Sequence, residues 1–183
     1  KPQAMRYREF TQADVDTIGA PGVLADFEFI QVACDVMAGL GLEFKVKVSN
    51  RALLEDLAKE CGVPQEKIKE AFRSIDKLDK IGEKGVEKEL QEKGIGTSII
   101  EQIKLNSLEL VKEKIPQSSG VANLEQVLAL CRENGFEEVA FDASLARGLE
   151  YYTGIVFEVS VAKGPSVGGG GRYDRLIETY GGQ

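Results

Sequence analysis

The aromatic residues of this 183-residue chain are unevenly distributed, and this constrains the fold more than any other feature of the sequence. Residues 51–120 contain one aromatic residue, Phe72, among 13 basic and 14 acidic residues, whereas the two flanks contain the other 12 aromatics. Apolar residues recur at helical spacing through the middle, and charges of both signs alternate, which is typical of solvated helices. The sequence therefore predicts several short helices between two flanks that carry the strands.

Alternation and turn residues locate the elements more closely. Strict alternation over 43–49 predicts a half-buried strand, and shorter patterns predict strands over 6–18, 139–142 and 153–162. Helices are predicted over 23–40, 51–61, 64–78, 83–93, 97–115, 123–135 and 175–180. Because unequal stretches separate the strands, without a regular βα repeat, we expect an α+β fold. Its sheet is expected to be mixed and mainly antiparallel, with helices on one side.

The composition excludes several classes of protein. A net charge of −7, from 23 basic and 30 acidic residues, argues against a DNA-coating protein. The absence of histidine excludes Ser-His-Asp triads and histidine-ligated metals. Cys34, Cys61 and Cys131 are odd in number and far apart, so we expect neither a disulfide framework nor a protein-ligated metal, and a reducing compartment fits best. No apolar run approaches the ~20 residues of a membrane helix, so no membrane partner is expected.

Three segments combine residues suited to ligand binding. In the first, Arg6, Arg8, Phe10, Gln12, Asp14 and Asp16 would share one face of a strand. Arginine guanidinium groups bind phosphate oxygens well, and an aromatic ring can stack on a nucleotide base. An exposed sheet face with cross-strand ion pairs would show the same pattern.

The other two segments are rich in glycine and tyrosine. Arg147 stands beside Gly148 and shortly before Tyr151 and Tyr152, which favours either a ligand-binding loop or a turn with packed aromatic rings. Gly168–Gly171 precede Arg172, Tyr173 and Asp174. This run is neither a P-loop nor a dinucleotide fingerprint, and it suits the floor of a tight pocket or a flexible loop.

Taken together, these segments resemble the histidyl-tRNA synthetase family. RYREFTQADVDTIG (residues 6–19) resembles the second half of motif 2 of class II aminoacyl-tRNA synthetases. ARGLEYYTGIVFE (146–158) is similar to the family's histidine-binding signature, and GGGGRYDRL (168–176) to its glycine-rich pocket strand. The resemblance implies a class II catalytic core at 1–54 and 121–183, with a helical insertion domain at 55–120.

The family condenses L-histidine with ATP, which carries Mg²⁺, and then transfers the histidyl group to tRNA(His). The resemblance implies a cytoplasmic enzyme that is a homodimer at full length. It assigns ATP binding to Arg6, Phe10 and Arg147, with Arg147 catalytic at the α-phosphate. It assigns histidine binding to Gln12, Asp16, Arg147, Tyr151, Tyr152, Gly169, Gly170 and Tyr173.

Several family features lie outside the sequence. Motif 1, the upstream arginine of motif 2 and motif 3 are absent, so we expect an internal fragment of the catalytic domain that does not complete adenylation alone. Two alternatives share the fold, namely a non-catalytic regulatory subunit of ATP phosphoribosyltransferase and a synthetase-like domain of a stress kinase. Both usually have a degraded signature, whereas Arg147, Tyr151 and Tyr152 are all present here.

Overall fold

The computed structural model describes residues 8–146, 151–161, 166–179 and 181. The described strands are β1 (Phe44–Asn50), β2 (Val139–Phe141), β3 (Ile155–Val161) and β4 (Ser166–Gly171). The helices are α1 (Val23–Gly39), α2 (Arg51–Glu60), α3 (Ile68–Ile75), α4 (Leu78–Glu92), α5 (Ser98–Leu105), α6 (Leu108–Lys114), α7 (Ser119–Glu133) and α8 (Leu176–Thr179), and a short 3₁₀ turn (Gln65–Lys67) precedes α3.

The four strands form one mixed sheet in the order β2-β1-β3-β4. Strand β1 pairs in parallel with β2 and antiparallel with β3, and β3 pairs antiparallel with β4. The prediction of a mixed, mainly antiparallel sheet flanked by helices is confirmed.

The alternation of the strands divides the sheet into two chemically different faces. Val46, Val48 and Val159 are buried and belong to one apolar cluster with side chains of α1 and α7. Lys47 of β1 pairs with Glu158 of β3, between the pairs formed by Val46 and Val48. Because side chains alternate along a strand, Lys47 and Glu158 lie on the opposite face. We call this second face the polar face of the sheet.

The middle of the chain forms helices α2–α6, and one predicted helix needs correction. The pattern over 97–115 predicts one helix, but the structure contains two, because Asn106 adopts a left-handed conformation with φ of 44° and ends α5. Asparagine tolerates this conformation better than most residues. The Ser107 hydroxyl then accepts a hydrogen bond from the backbone N–H of Leu110 and starts α6.

The first predicted strand is also wrong for its described part. Residues 8–22 form no strand, and nearly all of their side chains are exposed. The alternating pattern is present, but strand geometry is stabilised only when a neighbouring strand supplies the backbone hydrogen bonds. We call residues 8–22 the leading segment.

The glycine run of residues 168–171 is a strand, not a flexible loop. A Cβ at Gly169 would lie 2.9 Å from the carbonyl oxygen of Phe157, and one at Gly171 would lie 2.6 Å from that of Ile155. Strand β4 approaches β3 so closely that larger residues would force the strands apart. The glycines therefore permit close backbone approach.

Candidate functional site

The polar face of the sheet opens into a small cleft of about 130 Å³. Lys47 and Glu158 from the sheet and Asp142 at the end of β2 line it, with Asp76 and Lys80 from the middle helices opposite. The ammonium of Lys47 lies 2.8 Å from the Asp142 carboxylate. The cleft is therefore bounded by both the sheet and the helical middle of the chain.

The loop after β2 is fixed beside this cleft. The Asp142 carboxylate accepts hydrogen bonds from the backbone N–H and the hydroxyl of Ser144, at 2.9 and 2.6 Å. Burial opposes the charge of Asp142, but the bonds from Lys47 and Ser144 outweigh it, so its pKa lies below the ordinary value. The Asn106 side chain also accepts from the N–H of Ala143 at 2.7 Å. These bonds anchor the residues that lead to Arg147.

Two predicted histidine-binding residues from opposite ends of the chain meet directly. The Tyr173 hydroxyl donates a hydrogen bond to the carboxylate of Asp16, 157 positions away in the sequence. That bond raises the pKa of Tyr173, because loss of the phenolic proton would place two negative charges side by side. The contact joins the leading segment to the residues that follow β4.

The tyrosine pair lies at the start of β3, close to the same residues. The rings of Tyr151 and Tyr152 are 4.3 Å apart between centroids and inclined by 56°. Burial, followed by hydrogen bonding with Tyr151, raises the pKa of Tyr152 to about 12, and Tyr173 adds to this electrostatically. Tyr152 is therefore a neutral hydroxyl throughout the physiological range, able to donate and accept hydrogen bonds.

The predicted pocket glycines Gly169 and Gly170 point to different faces of β4. A Cβ at Gly170 would lie 2.9 Å from the Phe157 ring, on the side of the apolar core. Gly169 pairs with Glu158 and shares the polar face with Gly171, whose Cβ would lie 2.9 Å from the Tyr152 ring. Gly171 is thus the β4 residue in contact with Tyr152, whereas Gly169 lies on the same face against the β3 backbone.

Two other predicted site residues, Phe10 and Gln12, lie in the described part of the leading segment. Phe10 is 70% exposed, and the amide of Gln12 donates to Asp14 at 2.7 Å within the leading segment. Arg6 and Arg147 lie outside the described residues. Within the described ranges, no group of three or more cysteine and carboxylate side chains converges to hold a metal, and we assign no metal ligand.

Two residues for which the sequence predicts no role hold the site together, and one of them, Arg172, belongs to the third segment. The Arg172 guanidinium lies 2.7 Å from the carboxylate of Asp26, which is 2% exposed. Asp26 lies among the apolar positions of a helix that the sequence predicts to be buried. Because a buried carboxylate requires a partner, this position could have indicated an ion pair.

Solved structures share this architecture. A histidyl-tRNA synthetase from Nostoc sp. PCC 7120 matches with a TM-score of 0.80 and 28% identity, over 88% of this chain and 42% of that chain. A protein from Bacillus halodurans C, described as an ATP phosphoribosyltransferase regulatory subunit/histidyl-tRNA synthetase, matches in fold with a TM-score of 0.72 and 23% identity, over 89% of this chain and 46% of that one. The fold is therefore that of the synthetase-type catalytic domain.

Sequence comparison identifies the family. The histidine--tRNA ligase of Christiangramia forsetii is 37% identical over 99% of this chain and 44% of its own length, and the chloroplastic/mitochondrial enzyme of Arabidopsis thaliana is 39% identical over 97% and 39%. The family model for histidyl-tRNA synthetase matches residues 1–183. The chain belongs to the histidyl-tRNA synthetase family. It spans less than half the length of these curated relatives.

Where the structure is described, no helix is long and apolar enough to cross a membrane.

Proposed function

We propose that this chain is the part of a histidine--tRNA ligase that binds L-histidine and ATP. In this role it supports formation of histidyl-adenylate and then transfer of the histidyl group to tRNA(His). The observation that carries the proposal is the hydrogen bond between Tyr173 and Asp16, because it joins two of the three segments that resemble the family's motifs. The whole protein would act in the cytoplasm as a homodimer, with residues 55–120 as its helical insertion domain.

The proposed histidine pocket reads a polar ring by hydrogen bonds. Asp16, held by Tyr173, supplies an acceptor for an imidazole N–H, and the neutral hydroxyls of Tyr151 and Tyr152 supply further donors and acceptors. An amino acid without the imidazole would leave these groups unpaired. Discrimination by unpaired polar groups is much stronger than discrimination by apolar shape.

The adenylation chemistry is assigned to the arginines. The carboxylate of histidine attacks the α-phosphorus of ATP, pyrophosphate leaves, and negative charge shifts on the phosphate oxygens. We assign the stabilisation of that charge to Arg147, contacts with the terminal phosphates to Arg6 and stacking on adenine to Phe10. Gln12 is assigned to the amino and carboxylate end of histidine, and Mg²⁺ enters with the nucleotide.

The decisive experiment separates catalysis from recognition in the full-length protein. Arg147→Ala should lower histidine-dependent ATP–pyrophosphate exchange by about 10²–10³, with a smaller effect on histidine affinity, because the cation acts mainly in the transition state. Arg147→Lys should restore little, since an ammonium does not reproduce the planar fork. Tyr152→Phe should mainly raise the KM for histidine.

The same assay tests the alternative function. Exchange within a few-fold of wild type for Arg147→Ala would contradict the catalytic role assigned to Arg147. A wild-type protein without histidine-dependent exchange would contradict the proposal and place the chain with the non-catalytic paralogues. The purified wild-type protein is the reference in each case, and variants are compared at matched folded concentration measured by circular dichroism.

A further inference from the structure

Three consecutive residues after β4 each bind a different segment around the candidate site. Tyr173 donates to Asp16 of the leading segment. The Asp174 carboxylate accepts from the hydroxyl of Thr153 at 2.6 Å, directly after the tyrosine pair. Arg172 binds the start of α1. We call residues 172–174 the clamp.

Arg172 holds the start of α1 at two points. Its Nη2 donates to the carbonyl oxygen of Gly22 at 2.9 Å, and its Nε donates to the Asp26 carboxylate at 2.7 Å. Its Nη1 also lies 3.2 Å from Asp174, so one guanidinium connects α1 to the segment bearing the tyrosines. Only the planar fork of arginine provides donors in these three directions.

The Asp26 carboxylate is buried, and both of its oxygens accept hydrogen bonds. Its second oxygen accepts from the Asn123 amide of α7 at 2.8 Å. The Asn123 oxygen accepts in turn from Asn50 at 2.8 Å, and the Asn50 side chain caps α2 by accepting from the N–H of Ala52. A buried ion pair of this kind favours one arrangement of the residues around it, because displacement of either partner would leave an unpaired charge in the interior.

The clamp backbone is also hydrogen-bonded to residues between the tyrosine pair and the start of β3. The N–H of Thr153 donates to the carbonyl oxygen of Arg172 at 2.7 Å, and the N–H of Arg172 donates to that of Ile155 at 2.9 Å. Tyr173 thus holds the stretch 16–26 at Asp16, and Arg172 holds it at Gly22 and Asp26. Asp16 and the segment that follows the tyrosine pair are therefore both held by the clamp.

We infer that Arg172, acting through the buried Asp26, is a positioning residue that preforms the histidine pocket. This inference rests on the proposed function. Without the ion pair, the stretch 16–26 loses its buried anchor on the clamp, and Asp16 no longer meets Tyr173 in a fixed geometry. Histidine must then order these groups on binding, which lowers its affinity. The residues assigned to ATP, namely Arg6, Phe10 and Arg147, lie outside the stretch 16–26 of the sequence, so we expect ATP binding to change less.

The test uses the full-length protein with Asp26→Asn, which keeps the side-chain shape but removes the charge. Arg172→Lys is the second variant, since it keeps the charge and loses the fork. Glu28→Gln is the matched control, because it removes an exposed carboxylate two residues along the same helix. Histidine Kd is measured by calorimetry without ATP, and the KM values for histidine and ATP by pyrophosphate exchange.

We expect both variants to raise the Kd and KM for histidine by about tenfold or more, with the KM for ATP within about twofold of wild type. Glu28→Gln should match wild type. If Asp26→Asn does not fold, Arg172→Lys decides the question. A folded variant with wild-type histidine affinity, or with equal losses for histidine and ATP, would overturn the positioning role. A wild-type protein that neither binds nor activates histidine would instead overturn the proposed function, and this inference with it.

Discussion

The glycine run of β4 makes a sharp prediction, because two of its members differ in the space around them. A Cβ at Gly171 would lie 2.6 Å from the carbonyl oxygen of Ile155 and 2.9 Å from the Tyr152 ring. That carbonyl already accepts a hydrogen bond from the N–H of Arg172 at 2.9 Å, so it does not move freely. A Cβ at Gly168 would lie 3.7 Å from the side chain of Val159, which is an ordinary van der Waals contact.

Gly171→Ala should therefore either separate β4 from β3 or displace the Tyr152 ring. Overpacking of this kind costs about 1–3 kcal/mol. For a domain of this size, each kcal/mol lowers the melting temperature by about 2–4 °C. Gly168→Ala meets no obstacle and should be neutral, or stabilising by up to about 1 kcal/mol through the lower entropy of the unfolded chain.

The assay compares both variants in the full-length protein by calorimetric melting and by the KM for histidine. Gly171→Ala should melt lower and bind histidine at least several-fold more weakly, whereas Gly168→Ala should resemble wild type in both. Equal melting temperatures and equal KM values for the two variants would refute the argument that β4 requires glycine at 171 to seat Tyr152.

Two further predictions concern charge and the thiols. The pKa of Asp142 is lowered, so its contribution to stability is present above the ordinary carboxyl range and is lost as pH falls through the folded pKa. Asp142→Asn should thus cost about 1 kcal/mol at pH 7 and progressively less as the pH falls below the ordinary carboxyl range, and a cost that does not change with pH would contradict this. Burial raises the pKa of Cys34 to about 12 and that of Cys131 to about 11, so alkylation at pH 8, mapped by mass spectrometry, should modify half-exposed Cys61 first. Modification of Cys34 at the rate of Cys61 would be the contrary result.

Local patterns in the sequence were sufficient to predict most elements and the family. Strict alternation predicted β1, helical spacing bounded by glycine predicted α1, and three linked motifs predicted histidyl-tRNA synthetase membership. These signals succeed because they depend on side chains a few residues apart, which the period of a helix or strand brings to one face.

Only the tertiary structure decided which distant residues meet. The bond between Asp16 and Tyr173 and the ion pair between Asp26 and Arg172 join residues 157 and 146 positions apart. These contacts depend on the strand order β2-β1-β3-β4 and on the packing of α1 against the sheet. The same dependence explains one wrong prediction and one choice that the residue pattern alone left open. The leading segment has a strand pattern but pairs with no strand among the described residues. The glycine run fits a pocket floor or a loop by its pattern alone, and only its pairing with β3 explains why side chains are absent there.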